Sequence, residues 1–226
     1  MNLKILKSIV DKKKNDTEFG IITNLSTGEV ELFIKQKPLS KNLEKYSNEI
    51  YNFLENKKIG LIDNSDLFVE TFKKPIKVII VGAVHITQYF IDYAKSLNFE
   101  IFIIDPRGYF VSKKKFPEIN LINKWPNEAL KELETNKDTA LIALTHDPKI
   151  DDPAIQHALR KKFYYIGALG SKKTHEDRCK RLREAGFNRE QVNTIHGPIG
   201  IKLGGKSAPE IALSIIAQLV SETYKK

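Results

Sequence analysis

Cysteine is almost missing from this chain: Cys179 is the only one among 226 residues. One thiol cannot close an internal disulfide or supply a multi-cysteine zinc site within a single chain, and it fits a reducing compartment. Long apolar runs are missing as well. Nothing approaches the roughly 18 consecutive apolar residues of a membrane span, and the N-terminal MNLKILKSIVDKKK lacks the small-residue cleavage pattern of a secretory signal. These absences predict a cytoplasmic protein with no membrane partner. Acidic residues are the minority, 28 against 37 Lys and Arg, for a formal net charge of +9. The excess is uneven: residues 1–75 net +2 and residues 76–226 net +7. Such a surface attracts polyanions. No nucleic-acid motif accompanies it, so a lysine-rich solvated surface is preferred to a nucleic-acid partner, and a phosphate ester stays open for the charge near glycine turns.

What is present is a hydrophobic content of 41%, enough for a core, arranged in two patterns. A boundary near residue 75 is marked by Lys73-Lys74-Pro75. Before it, the periodicity predicts a small N-terminal α+β domain, 1–75. Its helices are expected at 2–10 and 40–55, and its strands at 19–23 and 29–34 around Ser26-Thr27-Gly28. KIGLID and LFVETF are expected to form a hairpin about Asn64-Ser65. No metal-ligand or nucleophile pattern occurs there. After it, apolar runs at about 77–81, 100–104, 119–123, 139–144, 163–167 and 193–196 alternate with helical stretches. That alternation predicts a second domain, 76–226, of α/β class: a Rossmann-like, mostly parallel sheet with helices on both faces.

Chemistry concentrates at the predicted strand ends. VIIVGAVHI, followed by Asp105 23 residues after Gly82, outlines a dinucleotide-binding βαβ unit, with a carboxylate for ribose hydroxyls and a helix N-terminus for phosphate. Read as G-x-G-x-x-G, however, the turn gives Gly82, Val84 and Thr87, so a nucleotide, another phosphate ligand or none remain open. Arg107 either holds a phosphate or caps the strand end by pairing with Asp105. Residues 141–175 carry three of the five histidines and three aspartates. The run from Gly170 and Ser171 to His175 and Arg178 joins glycine, hydroxyl and cationic groups at a helix start, which suits an oxyanion. Arg178 and Arg181 share a helix face that Arg183 does not. Cys179, among cations, would have a depressed pKa if exposed, but an incidental small side chain is the preferred role.

His85, His146, His175 and His196 follow successive strands or open helices and could surround one site. Their spacing matches no local metal motif, so hydrogen bonding to ligand or backbone is the preferred role. His157 is expected at the surface. Asp147, Asp151 and Asp152 serve either as acid or base or as turn and helix caps about Pro148 and Pro153. Ser207 and Glu210 form a capping box for a last helix.

These motifs in order, FVETFKKPIKVIIVGAVHI, FIIDPRGYF, KFP, WPNEAL, LTHDPKIDDPAI, YYIGALGSKKTHEDRCKRL and HGPIGIKLGGKSAPEIALSIIAQ, resemble the XdhC/CoxI family of xanthine dehydrogenase accessory proteins over about residues 66–221. Two departures stand out. The family's Gly-Ala-Gly-His turn is here Gly82-Ala83-Val84-His85, and the first 65 residues show little of its glycine-rich segment. The resemblance implies an accessory factor rather than a turnover enzyme. Such a protein binds the molybdenum cofactor (molybdopterin), protects it during sulfuration by a cysteine desulfurase, and helps insert it into a xanthine dehydrogenase-type molybdoenzyme, as a possible homodimer. It further implies phosphate or oxyanion contacts from Gly82, His85, Gly170, Ser171 and Arg178, polar pterin contacts from Asp105, Arg107, His146 and Asp147, and His175 within the same set. Gly197-Pro198-Ile199-Gly200 would shape the pocket wall. The alternatives are an NAD(P)-binding oxidoreductase built on the same βαβ unit, and a polyanion-binding protein.

Overall fold

The computed structural model describes residues 3–225 except 16, 36, 57, 73, 109–115, 117 and 118. Lys73 of the boundary signal, Lys113 to Lys115 of the basic excess, and parts of the FIIDPRGYF and KFP motifs lie outside the described residues. The chain divides into two compact units, Met1–Pro75 and Ile76–Lys226.

In the first unit, α1 (Leu3–Lys14) precedes β1 (Phe19–Asn24) and β2 (Val30–Phe33), then come α2 (Ser47–Glu55), β3 (Gly60–Leu61) and β4 (Leu67–Phe72). The strands form an antiparallel sheet in the order β2-β1-β4-β3. β4 alternates buried and half-buried residues, so Leu67, Val69 and Thr71 face inward, as a sheet with one covered face requires. The helix expected over 40–55 is shorter. Leu43 N–H bonds to Ser40 O and Tyr46 N–H to Leu43 O, so the chain runs through tight turns and a 3₁₀ segment, Glu44–Tyr46, before α2 begins. That arrangement lets Leu39 and Leu43 reach the core with Ile50 and Leu54.

The second unit alternates β5 (Ile76–Val81), α3 (His85–Ala94), β6 (Phe99–Ile104), β7 (Asn120–Ile122), α4 (Pro126–Glu132), β8 (Thr139–Ala143), α5 (Pro148–Arg160), β9 (Tyr165–Ala168), α6 (Lys172–Glu184), α7 (Arg189–Asn193), β10 (Ile195–His196) and α8 (Ala208–Thr223). Its six strands pair in parallel in the order β10-β9-β8-β5-β6-β7. This is the doubly wound Rossmann order, in which the winding reverses between β5 and β8. The sheet is buried on both faces. Ile79 and Val81 pack with residues of α4, α5, α6 and α7, while Val78 and Ile80 pack with α3 and α8. Burial on both sides is why these strands read as continuous apolar runs rather than alternating ones.

Two strands begin later than their apolar runs suggest. Lys162 takes a left-handed φ of 55°, Lys162 N–H bonds to Leu159 O, and Phe163 N–H bonds to Ala158 O. This Schellman stop of α5 uses Phe163 as a hydrophobic cap, so β9 starts at Tyr165. Asn188 and Gln191 form a capping box that starts α7, which leaves only Ile195 and His196 to β10.

Candidate functional site

The carboxyl ends of β5 and β8 meet at the point where the winding reverses, the usual ligand position in this topology. Gly82, after β5, has φ 117°, and a Cβ there would stand 3.0 Å from Thr145 Cγ2 and 3.3 Å from Thr145 N. Glycine is therefore needed for the two turns to lie against each other. Thr87 Oγ1 donates to Gly82 O at 2.6 Å, which holds the turn onto α3. His85 opens α3 exposed and stacks on Tyr89.

Asp105 ends this side of the site as a buried, internally satisfied carboxylate. Its Oδ2 accepts from Ala83 N–H (2.8 Å) and Arg107 Nη2 (2.8 Å), and its Oδ1 from Arg107 N–H (3.0 Å) and Nε (2.9 Å). Burial alone would raise its pKa, but the hydrogen bonds from Arg107 and Ala83 outweigh that and hold it below the usual carboxylate range. Of the two roles open for Arg107, the geometry takes the ion pair. The acceptors that a ribose would use are filled by this chain's own donors.

The second half of the site is a cleft of about 220 Å³ between the first turns of α5 and α6, lined by His146, Pro148, Asp151, Asp152, Thr174, Asp177, Arg178 and Arg181. Local sequence explains its walls. Asp147 caps α5 by accepting from Lys149 N–H (2.9 Å), with Pro148 in the first turn. Ser171 caps α6 by accepting from Thr174 N–H (3.1 Å), and Gly170, at φ 147°, leaves room for the Thr174 side chain. His146 sits at a left-handed φ of 62°, exposed at the rim. Asp152 is paired: Arg181 Nε and Nη2 reach its two oxygens at 2.6 and 3.2 Å.

Two buried groups in the cleft are only half satisfied. Arg178 is 2% exposed; its Nη2 donates to Leu169 O (2.9 Å), while Nε and Nη1 have no partner among the described residues. Asp151 is 1% exposed; its Oδ1 accepts from Thr145 Oγ1 (2.6 Å) and Thr145 N–H (3.3 Å), while Oδ2 has none among the described residues. Burial pushes the Asp151 pKa up despite the Thr145 bonds, and burial pushes Arg178 down although Asp151 and Asp152 oppose it. Buried polar atoms are almost always paired in folded proteins. Orphans of both kinds in one cleft are what a site waiting for a polar ligand presents.

Of the residues singled out from sequence, the fold brings His146 and Arg178 into this cleft and sets Asp147, Gly170 and Ser171 at the helix starts that build it. Gly82, His85, Asp105 and Arg107 lie instead at the ends of β5 and β6. His175 turns away: its Nε2 is 3.4 Å from Cys179 Sγ, and its ring lies where a Cβ on Gly197 would be. His196 stacks on Tyr165. His85, His175 and His196 thus have separate partners and do not converge on one ligand. Among the described residues no three His, Cys, Asp or Glu side chains converge to hold a metal ion. Cys179 is half-buried, and burial outweighs Arg183 and Arg178 to push its thiol up, contrary to the depressed pKa expected of an exposed thiol among cations. His157 is half-buried rather than a free surface residue: it pairs with Thr135 Oγ1 at 3.0 Å and packs edge-on to Phe163. Sequence reading weighed Asp151 and Asp152 as caps or acids but left Thr174 and Asp177 unassigned. The signal was there in two adjacent carboxylates near the start of one helix and two arginines spaced i,i+3 on the next.

The family model for the XdhC Rossmann domain matches residues 78–219. The chain is 37% identical over 102 residues to the molybdenum cofactor insertion chaperone PaoD of Escherichia coli, covering 45% of this chain and 31% of that protein. It is 25% identical over 163 residues to a probable xanthine dehydrogenase subunit of Bacillus subtilis, covering 72% and 47% respectively. It thus spans less than half of either relative. A solved xanthine dehydrogenase structure from Bacillus halodurans superposes with a TM-score of 0.75 at 22% identity, covering 99% of this chain and 65% of that one, which shows the same fold.

Proposed function

Because the chain belongs to the XdhC Rossmann domain family, we propose that it is a chaperone that binds the molybdenum cofactor, holds it during sulfuration by a cysteine desulfurase, and hands it to a xanthine dehydrogenase-type molybdoenzyme. The observation that carries this reading is the pair of buried, half-satisfied groups, Asp151 and Arg178, in a cleft beside the switch point. Cargo that must be gripped and later surrendered is well served by a site whose polar groups stay unpaired until it arrives, because each regained bond favours binding without a large interface. Arg178 and His146 are the direct contacts in this proposal. Asp147, Gly170 and Ser171 hold the helix starts, Gly82, Asp105 and Arg107 shape the adjoining turn, and His85 and His175 complete the edge. Lys172 and Lys173, exposed at the start of α6, add positive charge for the cofactor's phosphate. No helix is long and apolar enough to cross a membrane among the described residues, and action in the cytoplasm, as a homodimer, belongs to the same proposal.

The strand order by itself also favours NAD(P). The filled acceptors of Asp105 and the Val84 side chain in the turn oppose it. Anaerobic titration with molybdenum cofactor, NAD and NADP separately, followed by quenching of Trp125 and retention through gel filtration, separates the two. Selective retention of molybdenum cofactor is expected. Selective retention of a nicotinamide nucleotide overturns the proposal.

A further inference from the structure

We infer that the α5–α6 cleft recognises the polar edge of a neutral heterocycle carrying an oxo group beside N–H and amino groups, the 2-amino-4-oxo pattern shared by pterins and guanine. The inference rests on the chaperone reading for its biological source but on the cleft alone for its chemistry. Among the described residues Arg178 has unpaired Nε and Nη1 donors, and a guanidinium has no acceptor. Asp151 has one oxygen unpaired among the described residues, because Thr145 occupies the other. A phosphate would satisfy Arg178 but bring its charge against Asp151, Asp152 and Asp177, which line the same cleft. A cation would suit the carboxylates but face Arg178 and Arg181. A ring edge with both functions satisfies both orphans: the oxo oxygen accepts from the guanidinium while ring N–H and amino groups donate to the carboxylate, the pairing by which such side chains read base edges. Arg181 is held by Asp152 and stays out of the exchange. At about 220 Å³ the cleft lies below the roughly 300–1,000 Å³ of sites that enclose a whole drug-sized ligand. It therefore takes a ring and leaves the rest of the molecule outside.

The test compares pterin with lumazine, its 2,4-dioxo analogue, which places an acceptor where pterin has the amino donor. Guanosine, adenosine and inorganic phosphate are titrated alongside, all by displacement of pterin fluorescence. Pterin, guanosine or both should bind at least about tenfold more tightly than lumazine and adenosine, and Asp151→Asn should erase that preference. The pterin and guanosine arms tell the cofactor's ring from a nucleotide's. Equal binding of pterin and lumazine, displacement of pterin by phosphate, or no binding of either ring overturns the inference; the wild-type comparison decides even if Asp151→Asn does not fold. Retention of whole molybdenum cofactor without a preference for pterin rejects the edge recognition and leaves the chaperone reading standing. A pterin preference without cofactor retention does the reverse.

Discussion

Asp105→Asn separates a structural carboxylate from a ligand-binding one. All four acceptor directions of Asp105 face N–H donors: Ala83 N–H and Arg107 Nη2 at Oδ2, Arg107 N–H and Nε at Oδ1. An asparagine keeps one oxygen and turns an NH₂ group toward the other pair of donors, so two donors lose their acceptor whichever way the amide lies. A buried donor left unsatisfied costs about 1–3 kcal/mol. The Arg107 side chain is 36% exposed, so its share of the ion pair is discounted to at most about 1 kcal/mol. The expected loss is about 2–4 kcal/mol, or roughly 4–16 °C in Tm for a chain of this size. Trp125, the chain's one tryptophan, directly precedes α4 in the second unit, so urea unfolding followed by its fluorescence reports on the affected unit. The Asp105 pKa is lowered in the fold, so its contribution is present above the unfolded carboxylate value of about 3.9 and is lost as pH falls through the folded value. The variant should lack that acid limb. A free-energy change under about 0.5 kcal/mol, within the range of ordinary surface substitutions, would refute the reasoning and return Asp105 to the pool of ligand contacts.

Arg178→Met should leave the free protein as stable or more stable, by on the order of 1 kcal/mol, because it removes a buried cation with only one hydrogen bond among the described residues. The same variant should lose cofactor retention in gel filtration, and a loss of more than about 2 kcal/mol in urea unfolding would mean the guanidinium is structural. His157, His175 and His196 are all half-buried, and burial lowers each pKa. The fold therefore favours neutral imidazole, and the stability this provides is full above the unfolded histidine value of about 6.5 and lost as pH falls through it. Urea midpoints measured on both sides of that value should drop on acidification, with His157→Gln reducing the slope; a flat profile would contradict the burial.

The Rossmann-like sheet was legible because its causes are local. Strands buried on both faces must be apolar along their whole length, and helices between them must repeat near every fourth residue, so the runs at 77–81, 100–104 and 139–144 announced β5, β6 and β8. The caps at Asp147 and Ser207 were equally open to reading, since a side-chain oxygen two or three residues before an orphan N–H needs no distant partner, whereas Ser171 was read as an oxyanion contact and Asn188, which starts α7, was not read at all. Strand starts were less so: Phe163 is as apolar as a strand residue, and only the left-handed Lys162 makes it a helix stop.

The amino-acid order by itself determined the class of fold, the order of its elements and which strand ends would carry polar chemistry, because hydrophobic period, capping and glycine turns act within a few residues. It could not set how deep the cations of α6 lie. Helical spacing puts Arg178 on a face that Arg183 does not share, but only the fold leaves Lys172 and Arg183 exposed and makes Arg178 an interior charge. Nor could it match the carboxylates of α5 to partners. Asp152 is neutralised by Arg181 29 residues away, and one oxygen of Asp151 has no partner among the described residues. Those outcomes depend on distance and desolvation across separate elements, which exist only once the sheet has brought β5 and β8 side by side.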